Sequence, residues 1–379
     1  MGTVEKNQTF FFPHPFNHLA YTPDVFALLS KNFLFFRIVS IILWFNHFVQ
    51  IHHLLCNAFQ ARTELFDTKH QNAFRLFNGF YEGEPNLVID IYATTAVVYN
   101  YADRPFEGAA AVRTAIESIR TELPWIRAIL VKTRSGTPDE KRGVLVFGEK
   151  ADTRIIEHGV RYSINLTMNQ DASLYLDTRN LRQWAIQNLS GKTVLNTFAY
   201  TGSLGVAACA GGATRVVQVD KNREFLNVAK TSYTLNGFPI NKQDFLAEDF
   251  FPAISRFKRQ GITFDCVFLD PPVFSITGRG RVDLEGESER LVNKVRPLVS
   301  DGGWLVVVNN ALFVPGKDLM GMFESLCGSG YLSIESILPV PEDFTGYPHT
   351  CLRPPPVDPA PYNHPTKITV LRARKRKNS

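Results

Sequence analysis

Two acids and one glycine turn are the residues of this chain best placed to do chemistry. Asp220 ends the apolar run Val216-Val217-Gln218-Val219, and Asp270 opens Asp270-Pro271-Pro272-Val273-Phe274. Upstream, the apolar run Val194-Leu195 leads through Asn196-Thr197-Phe198-Ala199-Tyr200-Thr201-Gly202 into Ser203-Leu204-Gly205. Gly202 permits a tight turn and close backbone approach. An acid about 20 residues beyond such a turn can accept both hydroxyls of an adenosine ribose. The turn is not G-x-G-x-x-G, and no P-loop lysine motif is present, which disfavours a dinucleotide and ATP hydrolysis. A cofactor with adenosine but no phosphate tolerates the sparser loop, and S-adenosylmethionine is that cofactor.

The Asp-Pro-Pro-Val-Phe segment suits the acceptor side of a methyl transfer. That reaction needs in-line approach of a lone pair to a sulfonium carbon, so positioning dominates. Two prolines stiffen the loop and leave carbonyls without competing amide donors. An Asp270 oxygen and a carbonyl of Pro271 or Pro272 can then accept from an amino or ring N–H, while Phe274 stacks on a base. These four residues form the expected catalytic set. D-P-P is also a good turn signal, so its position at a strand end is what gives it meaning.

The elements that must position these groups are legible as repeats of strand and helix. Strands are expected at 193–196, 216–219, 243–247, 264–269 and 304–308, with late strands at 334–340 and 368–371. Helices are expected at 179–188, from Ser203, and at 222–235, 250–258, 287–299 and 318–327. Such βα units imply a mostly parallel sheet covered on both faces. Ligands of open α/β sheets bind at the carboxyl ends of the strands. Asn196, Asp220, Glu248 with Asp249, Asp270, and Asn309 with Asn310 all stand at such ends. A Rossmann-like α/β domain with a mostly parallel seven-stranded sheet is expected over 171–379, after a small α/β domain over 62–170. In the small domain, strands are expected at 87–91, 96–99, 126–132 and 144–147, a helix at 109–123, an exposed loop at 135–142 and a hairpin around Gly159. Residues 341–366 read as an ordered connection.

At this point the motifs resemble class I methyltransferases that modify large-subunit ribosomal RNA. The resemblance rests on Tyr175-Leu176-Asp177-Thr178-Arg179-Asn180-Leu181-Arg182, Leu195 to Gly202, Leu235-Asn236-Gly237 and Asp270 to Phe274. Upstream, Arg75-Leu76-Phe77-Asn78-Gly79-Phe80 and Glu84 to Asp90 are similar to the small domain of that group. It covers about residues 60 to 374. The resemblance implies that Tyr175, Asp177 and Arg179 hold the cofactor, that Asp220 binds ribose and that Asp249 meets the adenine edge. Asn196, Phe198, Tyr200, Thr201 and Gly202 complete the expected cofactor set. Thr178 departs from the glutamine frequent in the family pattern. The related cytosine enzymes carry a cysteine near the end of the strand after the D-P-P loop. Here that place holds Val308-Asn309-Asn310-Ala311, and the Asn pair resembles the guanine-modifying branch. Cytosine C5 methylation requires a thiolate to add at C6, so a base nitrogen is the expected acceptor.

Composition sets the remaining bounds. The chain has 379 residues and a net charge of +5, an excess that Arg372, Arg374, Lys375, Arg376 and Lys377 could account for as a basic tail. RNA, ribosomal in particular, is the expected partner. Five scattered cysteines without a C-x-x-C pair suggest neither a disulfide framework nor a zinc site, and a cytoplasmic setting is expected. The apolar run 33–45 is shorter than a spanning helix needs, so a buried or interfacial helix is expected within a segment 1–61 rather than membrane contact. His47, His52 and His53 read as polar helix positions with no cysteine or carboxylate at ligand spacing, and no metal is expected. Two other readings stand beside RNA methylation: a methyltransferase for a protein or small-molecule amine, and a catalytically silent RNA-binding protein on the same fold.

Overall fold

The computed structural model describes residues 48–374. The chain divides into two units, residues 1–50 and 51–379. The apolar run 33–45, His47 and the last five residues lie outside the described residues.

Residues 48–61 form a helix, α1. A five-stranded sheet follows, in the spatial order β1 (Ala73–Asn78), β2 (Leu87–Tyr92), β3 (Thr95–Asn100), β4 (Ala128–Thr133), β5 (Val144–Phe147). A short helix α2 (Gly79–Glu82) follows β1, α3 (Ala109–Glu122) joins β3 to β4, and α4 (Pro138–Arg142) precedes β5. The β1–β2 and β2–β3 pairs are antiparallel and β3–β4 is parallel, so β1, β3 and β4 run the same way. Ile51, Leu55, Ala58 and Phe59 of α1 recur at helical spacing and are buried with Phe74, Leu76, Ile89, Ile91, Val98 and Ile119. Residues 51–61 therefore pack into this small domain's core. Arg62 and Glu82 form a fully buried ion pair at 2.9 Å. The expected loop at 135–142 contains α4, because Thr137 and Glu140 build a capping box with Pro138 at the first helical position. The hairpin β6 (Arg154–Glu157)–β7 (Val160–Ser163) turns at Gly159, whose φ is 77°.

The larger sheet has seven strands: β8 (Thr193–Thr197), β9 (Arg215–Asp220), β10 (Phe245–Ala247), β11 (Phe264–Leu269), β14 (Val299–Asn309), β15 (Leu332–Leu338) and β16 (Lys367–Ala373). A two-stranded hairpin, β12 (Phe274–Thr277) and β13 (Gly280–Asp283), stands between β11 and β14 in the chain. The spatial order is β10-β9-β8-β11-β14-β16-β15. All pairs from β10 to β14 are parallel, and β16 enters antiparallel between β14 and β15.

Period-two alternation assigns each strand residue to a face. Val194, Cys266, Phe268, Val306 and Val308 share one core with α5 (Arg179–Asn188), α6 (Ser203–Ala210) and α7 (Arg223–Asn236). Leu195, Val267, Leu269, Leu305 and Val307 share the other with α8 (Phe250–Arg259), α9 (Ser288–Val295) and α10 (Gly316–Cys327). A four-residue helix α11 (Glu342–Thr345) interrupts the ordered connection before β16. The order reverses between β8 and β11, whose chains leave toward opposite neighbours. That crevice, at the carboxyl ends of the strands, is where ligands of such sheets bind.

Candidate active site

A cavity of about 380 Å³ opens at that crevice. Asn196, Asp220, Glu248, Asp249, Asp270 and Asn310 reach it from the carboxyl ends of successive strands, and Tyr175 and Asp177 reach it from the turn before α5. Phe198, Tyr200, Pro271, Pro272 and Phe274 also line it.

The wall nearest β8 is the loop 198–202. Phe198 (φ 53°), Tyr200 (φ 50°) and Gly202 (φ 75°) are all left-handed. Two non-glycine residues in that region store strain, about 1 kcal/mol or more each. The compensation is visible. Tyr200 N donates to Asp220 Oδ2 at 2.9 Å, and Ala199 N donates to the Val219 carbonyl at 2.9 Å. The Phe198 ring stacks on Phe250 at 4.5 Å, and the Tyr200 ring meets Phe225 at 4.6 Å. Asp220 Oδ1 also accepts from Asn222 N at 2.8 Å. Each oxygen has thus used one lone-pair direction, and a carboxylate has about four, which leaves room for a diol. Burial raises the Asp220 carboxyl above its usual range, with the two amides opposing that.

Asp249 caps α8 through Phe251 N at 2.9 Å while lining the cavity. Asn196 touches the cavity but spends its amide on Gln218 Oε1 at 2.8 Å. Gln218 in turn reaches toward the Gly202 carbonyl at 3.3 Å. Asn196 thus braces the turn from beneath.

On the far side, Asp270 and Asp177 share the cavity. Burial, then the charge of Asp177, lifts the Asp270 carboxyl to about 7. Burial also raises Asp177, whose Oδ2 accepts from Thr366 Oγ1 at 2.9 Å.

Four expected residues are placed elsewhere. Arg179 does not line the cavity: its guanidinium binds Asp343 at 2.5 and 3.2 Å and the Ala73 carbonyl at 3.4 Å. It ties α5 to α11 and β1. Thr201 donates to the Ser173 carbonyl at 2.5 Å. Gly202 makes a tight turn packed against α7, where a Cβ would stand 2.5 Å from Ala229 Cβ. Asn309 is buried against Ser288 and Ala311, leaving Asn310 to face the cavity. Sequence reading missed Asn169, Asp171, Phe225, Thr366 and the hairpin residues Thr277, Gly280 and Val282, all of which line it. Asp171 and Thr366 come from irregular segments, which carry no periodic signal.

Two further expectations change. Arg372 is no tail residue: it lies in β16, over the Trp304 ring at 4.1 Å and bonded to Glu335. His52 does have ligand-type neighbours. Cys56, one helical turn on, has its Sγ 3.5 Å from His52 Nε2, and folding brings the Glu122 carboxylate beside both. His52 Nδ1 meets Ser118 Oγ at 2.8 Å.

Residues 75–327 match the family model of S-adenosylmethionine-dependent methyltransferases. The chain belongs to that family. The "Putative ribosomal RNA large subunit methyltransferase YwbD" of Bacillus subtilis is 30% identical over 305 residues, 76% of this chain and 74% of that protein. Ribosomal RNA large subunit methyltransferase K/L of Shewanella amazonensis is 31% identical over 280 residues, and there the match spans only 38% of the relative. A crystal structure of a "putative methyltransferase complexed with SAH" superposes with a TM-score of 0.74 at 20% identity, covering 86% of this chain and 82% of that one. The family uses S-adenosylmethionine, and the cavity suits it. Its volume lies in the range of small-molecule sites, with an acid for a diol and aromatic walls for a purine.

Proposed function

We propose that this enzyme methylates RNA of the large ribosomal subunit at a base nitrogen, in the cytoplasm and without a metal in the reaction. One observation carries the reading: Asp270, Pro271, Pro272 and Phe274 line the same cavity as Asp220 and Asp249. A planar acceptor is thereby held beside the cofactor. The names of the relatives, ribosomal RNA large subunit methyltransferases, support the choice of RNA.

S-adenosylmethionine supplies an electrophilic methyl group when bound. Asp220 accepts hydrogen bonds from the ribose hydroxyls. Asp249 meets the adenine edge, with Phe198 and Phe250 packing beside it. Tyr175 and Asp177 close the methionine end. Asp270 and a proline carbonyl accept hydrogen bonds from the acceptor's N–H groups and turn a nitrogen lone pair toward the methyl. Phe274, with more than half its surface exposed, covers the base. No thiol is needed, and among the described residues no cysteine lines the cavity. Cys266 is fully buried in β11, and Cys209 donates to Tyr233 Oη at 3.2 Å.

The test is transfer of tritiated methyl from S-adenosylmethionine to RNA against protein, with Asp270→Ala as the inactive control. Label in RNA that the variant abolishes supports the reading. Label in protein alone reassigns the substrate.

A further inference from the structure

β1, β3 and β4 of the small sheet run the same way, so their carboxyl ends share one edge. Phe80, Tyr101 and Arg134 each follow one of those ends. Their side chains form a continuous series. The Phe80 and Tyr101 rings meet edge-on at 5.0 Å. The Arg134 guanidinium lies over the Tyr101 ring at 5.2 Å, with Nη2 3.5 Å from its hydroxyl. Arg134 Nη1 reaches Asp171 Oδ1 at 3.4 Å, and Asp171 Oδ2 accepts from Tyr175 Oη at 3.1 Å. Asp171 and Tyr175 already line the cavity, and Tyr175 stands 5.3 Å from Tyr200.

This series is anchored from below. Lys132 is fully buried on β4, and its ammonium donates to the carbonyls of Asn169 and Asp171 at 2.8 and 3.2 Å. The small sheet therefore holds one wall of the cavity directly. Phe80 and Tyr175 nevertheless stay 42% and 45% exposed. Exposed rings at both ends of a half-buried series beside a binding cavity mark a contact surface.

We propose that Phe80, Tyr101, Arg134 and Tyr175 form a stacking track for the unpaired RNA that flanks the acceptor nucleotide. The inference rests on the RNA reading above. Splayed-out bases stack on aromatic rings and on guanidinium planes. Arg134 has five N–H donors, of which Asp171 and the Tyr101 hydroxyl engage two, so phosphate or base oxygens can take others. A double helix offers no free base faces to such a row. The track selects single-stranded RNA and threads it toward the cavity.

The experiment measures anisotropy of a fluorescein-labelled 12-nucleotide oligouridine with wild type, Phe80→Ala, Tyr101→Ala and Tyr101→Phe, and of a blunt 12-base-pair RNA duplex with wild type. Calorimetric affinity for S-adenosylhomocysteine serves as the folding control in each variant. The track predicts about tenfold weaker oligouridine binding in each alanine variant, near-normal binding by Tyr101→Phe, weaker binding of the duplex, and unchanged S-adenosylhomocysteine affinity. Wild-type oligouridine affinity in both alanine variants overturns the track and leaves the RNA reading standing. Wild type that binds no RNA and labels only protein overturns the RNA reading, and the track falls with it.

Discussion

The backbone amide of Tyr200 donates to Asp220 Oδ2 at 2.9 Å, which joins the loop after β8 to the acid that ends β9. The bond holds a left-handed tyrosine in place and aims the carboxylate into the cavity. Asp220→Ala removes both the ribose acceptor and this brace. S-adenosylhomocysteine affinity should fall about 100-fold or more, since two hydrogen bonds to a charged group contribute about 1.5–3 kcal/mol each. Calorimetry giving an unchanged Kd would take Asp220 out of the cofactor site.

Gly202 sits at φ 75°, and a Cβ there would lie 2.5 Å from Ala229 Cβ and 3.0 Å from Gln218 Nε2. Gly202→Ala should therefore destabilise the fold by about 2–3 kcal/mol through overpacking and backbone strain. Urea denaturation measures this directly. An unchanged midpoint and slope would show that the turn relaxes around the methyl group.

Much of this site was legible because it is periodic. Strands β8, β9 and β11 are apolar runs with a polar residue at or just past the carboxyl end, and parallel pairing puts those ends on one edge whatever the details. The resemblance named Tyr175 and Asp177, which line the cavity, and also Arg179, which Asp343 draws away. Nothing local announces that pairing, because Asp343 lies 164 residues further along. Thr366, which bonds Asp177 across 189 residues, was hidden for the same reason. β12 and β13 are absent from the expected strands, since Phe274-Ser275-Ile276-Thr277 is too short and exposed to show a buried face. The pairing of His52 with Cys56 was present in the sequence as an i, i+4 spacing, and only Glu122 required the fold.

Asp270 offers a pH test. Its folded carboxyl titrates near 7, above the 3.8 of an unperturbed aspartate. Between those values the native state keeps a proton that the unfolded chain has released, so stability falls as pH rises through the window. Asp270→Asn removes the charge. Its melting temperature relative to wild type should be least raised near pH 4, climb until about pH 7 and then level off, by roughly 3 °C or more. Methyl transfer should be lost throughout. A pH-independent difference would show that Asp270 is already ionised and paired in the folded protein.

The cysteines separate nitrogen from carbon methylation. Cys266→Ser should keep methyl transfer, with a stability cost for a hydroxyl in a packed strand. RNA containing 5-fluorocytosine should not trap the enzyme, because trapping depends on thiolate addition at C6. A denaturation-resistant adduct lost on replacing one cysteine would place the acceptor at cytosine C5.

The most direct measurement of the central claim is the fate of a tritiated methyl group. Unmodified large-subunit ribosomal RNA is incubated with the enzyme and labelled S-adenosylmethionine, digested to nucleosides and separated. The structure predicts one N-methylated base, formed by wild type and absent with Asp270→Ala. Label confined to protein or a small amine, or recovered as 5-methylcytidine, would contradict it.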